Sequence, residues 1–450
     1  MLDQSFADYY RCPPSFAQVG LSGALSGGAG FFRFGPDLTC YGESSASPQE
    51  SVTGILYDVA NEAKAEEGTI RLPFSPTKVI DNLRRELYTV NGYRGKPRLS
   101  SLRIARNAYY LIRPWLPVSV RRHLQRSALR GWDSASFPAW PVDRTVDRIY
   151  AKLLLLSLRA HSVEKIPFIW FWPDGSPSCT MMTHDIETQS GLEFCSQLMD
   201  MNDRVAVKSS FQVVPEERYK VSERFLSGVC ARGFEVNIHD LNHDGRLFSH
   251  RERFVERANR INQYAREYGA LGFRSAILYR NVDWFDALEV SYDMSVPNVA
   301  HLDPQPGGCC TVMPYFVGKL LELPLTTTQD YSLFHILGDY SLALWKQQVG
   351  LIIEQHGLIS FNVHPDYIIE KRARETYVAL LEYISHLRSD RKTWIALPNE
   401  VNRWWRQRHQ MQLRLEAGAW RIHGEGSERA RIAWATPSED GLVYTIDQTS

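Results

Sequence analysis

The sequence predicts an α/β chain whose main domain holds largely parallel strands, either as an open sheet or closed into a barrel. Three observations predict it. Short apolar, β-rich runs alternate with helix-length amphipathic stretches from about residue 166 to residue 389, the pattern of repeated β–α units. The 450 residues, 44% of them hydrophobic, suffice for a sizeable core and for two or three domains of about 150 residues each. Several apolar runs also end in His, Asp or Arg, and such folds place reactive groups at the carboxyl ends of their strands.

Taken in chain order, residues 1 to about 50 are rich in Gly, Ser and Pro and lack periodicity, which predicts a loosely structured leader or embedded loops. Residues 1–140 as a whole are read as a partly helical N-terminal extension. Within them, residues 101–130 hold seven arginines and no acid, interleaved with Tyr109, Tyr110, Trp115 and aliphatic residues. One reading is peripheral contact with an anionic membrane surface. The competing reading, an arginine-rich face packed on another domain, is favoured by Pro114 and Pro117, which interrupt a single helix.

A helical pattern over Val146 to His161 leads into a strand-like run, Ile166 to Trp172, and a turn at Pro173-Asp174-Gly175. Strands are then expected at Cys179 to His184, Ser209 to Val214, Phe234 to His239, Gly272 to Ser275 and Leu358 to His364. Helices are expected at Gly191 to Met201, Pro215 to Ala231, Ser249 to Tyr268, Ser332 to His356 and Lys371 to Ser389. Val296 to Thr311, rich in Pro and Gly, has the composition of a long loop, as a substrate lid or as a rigid connection. After Asn402 the pattern changes to short alternating segments, an appended set of antiparallel strands over 401–450.

Charge and cysteine usage exclude several classes. Lys plus Arg and Asp plus Glu both number 51, so no overall field points to nucleic acid. Seven scattered cysteines without paired spacing suggest neither a disulfide framework nor a zinc ribbon, and fit a reducing compartment. The first ten residues carry Asp3 and Asp8 and lack a basic region, so no secretory signal is visible. No apolar run approaches the roughly 20 residues needed to span a bilayer. A cytoplasmic protein is expected, with any membrane contact peripheral.

The chemistry concentrates at four strand ends. In Asn237-Ile238-His239-Asp240-Leu241-Asn242-His243-Asp244-Gly245 an apolar strand ends in two histidines four apart; both can reach one metal if the chain between them coils. A zinc-protease reading needs Glu after the first His and a helix through both, and this segment has Asp240 and a preceding strand. Thr183-His184-Asp185-Ile186-Glu187 places two carboxylates at the end of a buried strand, where one can ligate while the other accepts a proton. Phe361-Asn362-Val363-His364-Pro365 again ends in His, suited to donating a proton to a leaving group. Gly272-Phe273-Arg274-Ser275 puts Arg274 where it can orient a carboxylate or steady an oxyanion.

In this order, T-H-D-I-E, H-D-L-N-H-D-G, G-F-R-S and F-N-V-H-P, the segments resemble the polysaccharide deacetylase family, over roughly residues 165 to 400. The resemblance implies a distorted seven-stranded (β/α) barrel, here 141–400, and metal-dependent removal of N- or O-acetyl groups from glycans. It also implies Asp185, His239 and His243 as metal ligands, with Asp185, Glu187, Arg274 and His364 as the catalytic set. The cation it implies is divalent, zinc first, with cobalt, nickel or manganese as alternatives. Two departures stand out. Ile186 takes the place of a second adjacent aspartate, so either Asp185 ligates and Glu187 is the base, or the roles are exchanged. Arg274-Ser275-Ala276-Ile277-Leu278-Tyr279 also lacks the usual Arg-x-Pro-Tyr form.

The expected partner is an acetylated carbohydrate or its lipid- or nucleotide-linked precursor. Trp284, Phe285, Tyr292, Tyr315 and Tyr331 are the candidate sugar-stacking aromatics, of which most are expected to be core or surface residues and no more than one or two to touch sugar. The alternatives are an amidohydrolase acting on a non-sugar amide with the same water chemistry, or a degenerate carbohydrate-binding barrel.

Overall fold

The period-2 pattern of the apolar runs dictates how the main unit is built. In a computed structural model, the described residues are 2–52, 54–89, 123, 124, 126, 127, 129, 131–439 and 441–447. The chain divides into two compact units, one of residues 1–94, 143–176 and 403–450, the other of residues 95–142 and 177–402. Most of the basic 101–130 stretch therefore lies outside the described residues, including Tyr109, Tyr110 and Trp115.

Among the described residues the main sheet of the second unit has nine strands: a run of seven parallel ones, β1 (Cys179–Ile186), β2 (Ser210–Val213), β3 (Glu235–His239), β4 (Gly272–Arg274), β5 (Tyr292–Asp293), β6 (Leu320–Glu322) and β7 (Leu358–Asn362), with Tyr315–Val317 antiparallel on β6 and Trp394–Ile395 parallel on β1. The run pairs in the order β7-β1-β2-β3-β4-β5-β6, every step parallel. The ring closes after β6 through side chains more than through a ladder. Thr326 Oγ1 donates to the Leu358 carbonyl at 2.7 Å and accepts from Ser360 N at 2.9 Å. Thr327 donates to the Ser360 carbonyl from both N and Oγ1, at 3.3 and 2.8 Å. This curled, largely parallel sheet with its flanking helices is consistent with the (β/α) barrel that the family resemblance implies.

Alternation sorts the side chains of each strand. Met182, Ile186, Phe211, Val213, Phe361 and Val363 face outward into a core shared with Phe194, Leu198, Tyr377, Leu380 and Ile384 of the surrounding helices. Ile238 and Phe273 do the same against Phe254, Ala258 and Ile261. The intervening residues, Thr183, Asp185, Gln212, Asn237, His239, Arg274 and Asn362, are polar and fully buried, and they face the barrel interior. The helices are α1 (Gln189–Arg204), α2 (Glu223–Ala231), α3 (Arg251–Tyr268), α4 (Ala343–Ile353) and α5 (Lys371–Arg391). Thr188, Ser222 and Glu370 cap α1, α2 and α5 through their side chains.

Two helices are shorter than expected. The segment Pro215 to Ser222 is not helical, because Glu217 takes a left-handed backbone (φ 65) and α2 starts only after its serine cap. The stretch Ser332 to His356 is interrupted after Ser332–Leu337 at Gly338 (φ 70). Val296 to Thr311 is packed inside, with Val296, Cys309 and Cys310 fully buried and Asn298 Nδ2 bonded to the Thr311 carbonyl.

The first unit is assembled from three stretches of chain. The helix Thr145–His161 and the strand Ile166–Ile169 belong to it and not to the barrel. The strand pairs antiparallel with Ile432–Ser438, which pairs in turn with Gly441–Ile446. Residues 30–42, expected to be loose, form the paired strands Gly30–Arg33 and Thr39–Gly42 and bury Phe31, Phe32, Cys40 and Tyr41, because this glycine-rich segment also carries enough aromatic surface to pack. At its centre the buried Arg408 guanidinium donates to the carbonyls of Trp170, Ile169, Tyr9 and Tyr10 at 2.7 to 3.2 Å. Among the described residues, no helix is long and apolar enough to cross a membrane.

Candidate functional site

The site forms where β1, β3, β4 and β7 end. His239 is the last residue of β3, and its Nδ1 meets the carbonyl of Arg274, on the adjacent β4, at 3.1 Å. A carbonyl only accepts, so the ring proton sits on Nδ1 and Nε2 presents a lone pair. That Nε2 is buried without a hydrogen-bond partner. Beyond β3 the chain reverses through left-handed backbone at Asp240 and His243 (φ 56 at each). Asp240 secures the reversal by accepting from Leu241 N at 2.6 Å and Ala276 N at 3.3 Å. The two imidazoles thereby face each other with ring centres 4.9 Å apart, without any helix joining them. Non-glycine residues in this backbone region cost of order 1 kcal/mol or more each and cluster at functional sites.

Glu187, just past β1, brings Oε1 to 3.0 Å from Nε2 of His243. Ligand atoms of Glu187, His239 and His243 all lie within 4.8 Å of one another, and the donor set of two imidazoles and one carboxylate suits a borderline divalent cation. The exposed lone pair of His239 Nε2, with Nδ1 committed to a carbonyl, is the arrangement a metal-ligating histidine needs. These residues fit a divalent cation. Glu187 is itself held from behind: its main-chain N–H donates to Asp366 Oδ2 at 3.0 Å, and Tyr367 OH reaches its Oε2 at 3.4 Å. Asp366 can approach because residue 191 is glycine; a Cβ there would meet its Oδ2 at 2.5 Å.

Asp185 stands apart from that group, its Oδ2 4.0 Å from His239 Nε2. Arg274 Nη1 donates to its Oδ1 at 3.1 Å and Asn362 Nδ2 to its Oδ2 at 2.8 Å. Arg274 is fully buried and spends Nε on the Met294 carbonyl and Nη1 also on Thr183 Oγ1; its role in this geometry is to orient a carboxylate. Burial alone would raise the Asp185 pKa, but Arg274, His239 and His364 outweigh it and bring it to about 2. Burial likewise works against an ionised Glu187, and His243 beside it holds the carboxyl well below its usual range. His239 goes the other way: burial lowers it to about 4 against the pull of Asp185.

His364 completes the cluster, with Nε2 3.8 Å from Asp185 Oδ2 and 3.9 Å from Glu187 Oε1. Its Nδ1 is 2.6 Å from Asp330 Oδ1, and its main-chain N–H donates to Asp330 Oδ2 at 2.8 Å. Burial opposes a charged ring here, yet Asp330, Glu187 and Asp185 together raise its pKa to about 10.

No family model matches the chain, and no curated protein matches it. Solved structures do. A protein of Mycobacterium smegmatis assigned as a polysaccharide deacetylase is 17% identical over 53% of this chain and 93% of its own, with a TM-score of 0.42. The peptidoglycan deacetylase PdaC of Bacillus subtilis is 10% identical over 50% and 90%, with a TM-score of 0.33. A family 4 acetyl xylan esterase of Clostridium thermocellum, in complex with a cobalt ion, is 13% identical over 50% and 91%, with a TM-score of 0.31.

All six site residues read from the sequence, Asp185, Glu187, His239, His243, Arg274 and His364, meet in this one cluster. Most of the candidate aromatics are core residues, as expected. Trp284, Phe285 and Tyr315 pack in the apolar core around α3, and Tyr292 lies inside the barrel with its hydroxyl on Glu235 and Asn237. Tyr331 alone stands near the site, 5.4 Å from the ring of Tyr367, which is 5.0 Å from His364. Sequence reasoning missed Asp330, Asp366, Tyr367 and Arg218, whose Nη2 donates to the His243 carbonyl at 2.7 Å, and gave Asn362 no role. Asn362 was the most accessible of these, because strand alternation puts it on the inner face two residues before His364.

Proposed function

We propose that the protein is a metal-dependent hydrolase that removes an acetyl group from a glycan or glycan precursor. The observation that supports this best is the pairing of a three-residue cation site, Glu187, His239 and His243, with an ionised Asp185 and a protonated His364 a few ångströms away. Of the two arrangements open from the sequence, the distances favour Glu187 as the ligand and Asp185 as the base. A divalent cation there, zinc first among the candidates, supplies Lewis-acid polarisation of the acetyl carbonyl and a more acidic water.

The chain's own residues then divide the proton work. Asp185, kept ionised and oriented by Arg274 and Asn362, takes a proton from the attacking water. His364, kept charged and oriented by Asp330, gives its Nε2 proton to the departing amine or alkoxide. Tyr331 and Tyr367 offer the half-buried aromatic surface on which a sugar ring can rest.

The test is metal content by elemental mass spectrometry, together with acetate release from N- and O-acetylated sugars, for the protein and a folded His239→Ala/His243→Ala double variant. Near one equivalent of metal and acetate release, both lost in the variant, support the reading. Release from acyl-amides but not from acetylated sugars would replace it with amidohydrolysis. Sugar binding with neither metal nor release would replace it with a binding barrel.

A further inference from the structure

Arg218 stands at the rim of the site without a counter-ion among the described residues. Its loop, between β2 and α2, crosses the end of β1, where Tyr219 pins it: the Tyr219 hydroxyl donates to the Ile186 carbonyl and accepts from Val214 N, both at 2.8 Å. Arg218, the residue before it, is exposed and reaches the chain reversal that carries His243. Its Nη2 donates to the His243 carbonyl at 2.7 Å and its Nε to the Asn242 carbonyl at 3.4 Å. Only the imidazole of His243, 3.0 Å from Glu187 Oε1, separates the guanidinium from the candidate cation site.

Two neutral carbonyls fix the position of this group and leave its charge standing. The acids of the two loops are engaged elsewhere. Glu216 takes Arg260 on both oxygens, at 2.6 and 2.5 Å, and Asp244 takes Arg257 on both, at 2.8 and 2.7 Å. Among the described residues Nη1 of Arg218 meets no partner, and Lys220, exposed two residues on, adds a charge of the same sign. A guanidinium already held in place loses little freedom on meeting a carboxylate or phosphate, and its planar donors suit either group. We propose that Arg218 recognises an oxyanion on the substrate, so that the acetyl group removed belongs to an acidic glycan unit, one bearing a carboxylate or a phosphate. This rests on the deacetylase reading proposed above and narrows it from acetylated carbohydrates in general to anionic ones. Arg218 sets specificity and takes no part in the proton transfers.

The test is acetate release from three substrates: a neutral acetylated oligosaccharide, one whose acetylated unit also carries a carboxylate, and a UDP-linked acetylated sugar. Each is offered to the metal-loaded protein and to Arg218→Gln and Arg218→Lys. The unmutated protein is expected to favour an anionic substrate over the neutral one by at least about tenfold in kcat/KM, the scale of one hydrogen bond to a charged group, mainly through KM. The preference is expected to shrink as salt is raised, and the anionic substrate that leads assigns carboxylate or phosphate. In Arg218→Gln the preference should fall toward one, with part of it kept in Arg218→Lys, which retains the charge without the fork. A residue that merely supports the loop would lower all three rates alike, and an unchanged preference in Arg218→Gln overturns the proposal. So does the absence of any preference in the unmutated protein, or one that salt does not touch, even if the variants fail to fold. No acetate from any of the three overturns the deacetylase reading and this proposal with it.

Discussion

Asp330 grips His364 twice, one carboxylate oxygen on the ring Nδ1 at 2.6 Å and the other on the main-chain N–H at 2.8 Å. The ring is thereby fixed in plane and in protonation with Nε2 turned toward Asp185 and Glu187. Replacing Asp330 by Asn removes the countercharge while leaving the shape. The expected outcome is a loss of about 10²-fold in kcat, the usual scale for a general acid, with the alkaline limb of the pH profile moving to lower pH as His364 loses the group that raises its pKa. Steady-state rates of acetate release against pH check both.

The division of labour between the two carboxylates separates in metal content. Glu187→Gln is expected to lose bound metal, whereas Asp185→Asn is expected to retain it and lose rate by about 10²-fold or more. Elemental mass spectrometry beside activity reads the two apart, and metal lost from Asp185→Asn but kept in Glu187→Gln would exchange the roles.

Gly191→Ala is expected to damage the site from a distance. The new methyl would press on Asp366 at 2.5 Å, and Asp366 holds the main chain of Glu187. A drop in metal affinity of about tenfold, the lower range for loss of a supporting partner, is the expected result of chelator competition.

The acid limb of stability has an identifiable contributor in His184. Buried on the outer face of β1, it donates from Nδ1 to the Val363 carbonyl at 2.8 Å, and burial lowers its pKa from 6.5 to about 4. The unfolded chain therefore takes up a proton first as pH falls. The stabilisation from the neutral ring is complete above pH 6.5 and is lost as pH falls through 4. The melting temperature should decline over that interval, and less steeply in His184→Asn.

Arg408→Met is expected to destabilise the first unit by about 3 kcal/mol, because four buried carbonyls lose a shared charged donor. Denaturant unfolding followed by tryptophan fluorescence tests this, with Arg408→Lys recovering only part of the loss, since an ammonium cannot match a planar fork.

Much of the barrel and the clustering of the candidate site residues were legible because both follow local rules. Strand alternation put Asp185, His239, Arg274 and His364 on the inner face and at strand ends, and four short motifs named the same residues. What escaped depended on contacts between distant segments. Asp330 follows three threonines and Gln329 in a stretch with no pattern of its own, and its partner is 34 residues away. Arg218 sits in a stretch that reads as helix until Glu217 turns left-handed. Ile166–Ile169 looks like a barrel strand because pairing partners are invisible to periodicity, and its partner is Ile432–Ser438. The proposed choice between Asp185 and Glu187 draws on where Arg274 and Asn362 reach, which spacing does not encode.

The three-part first unit also has a consequence for biosynthesis. Its central strand, Ile432–Ser438, and Arg408 both leave the ribosome after every strand of the barrel, and Arg408 closes onto Tyr10 across 398 residues. Until then Phe168, Trp170 and Phe171, all buried in the finished unit, have no cover from the late segment. During synthesis these aromatics therefore precede their cover by more than 200 residues, and the first unit can complete its core only after the barrel strands have been made.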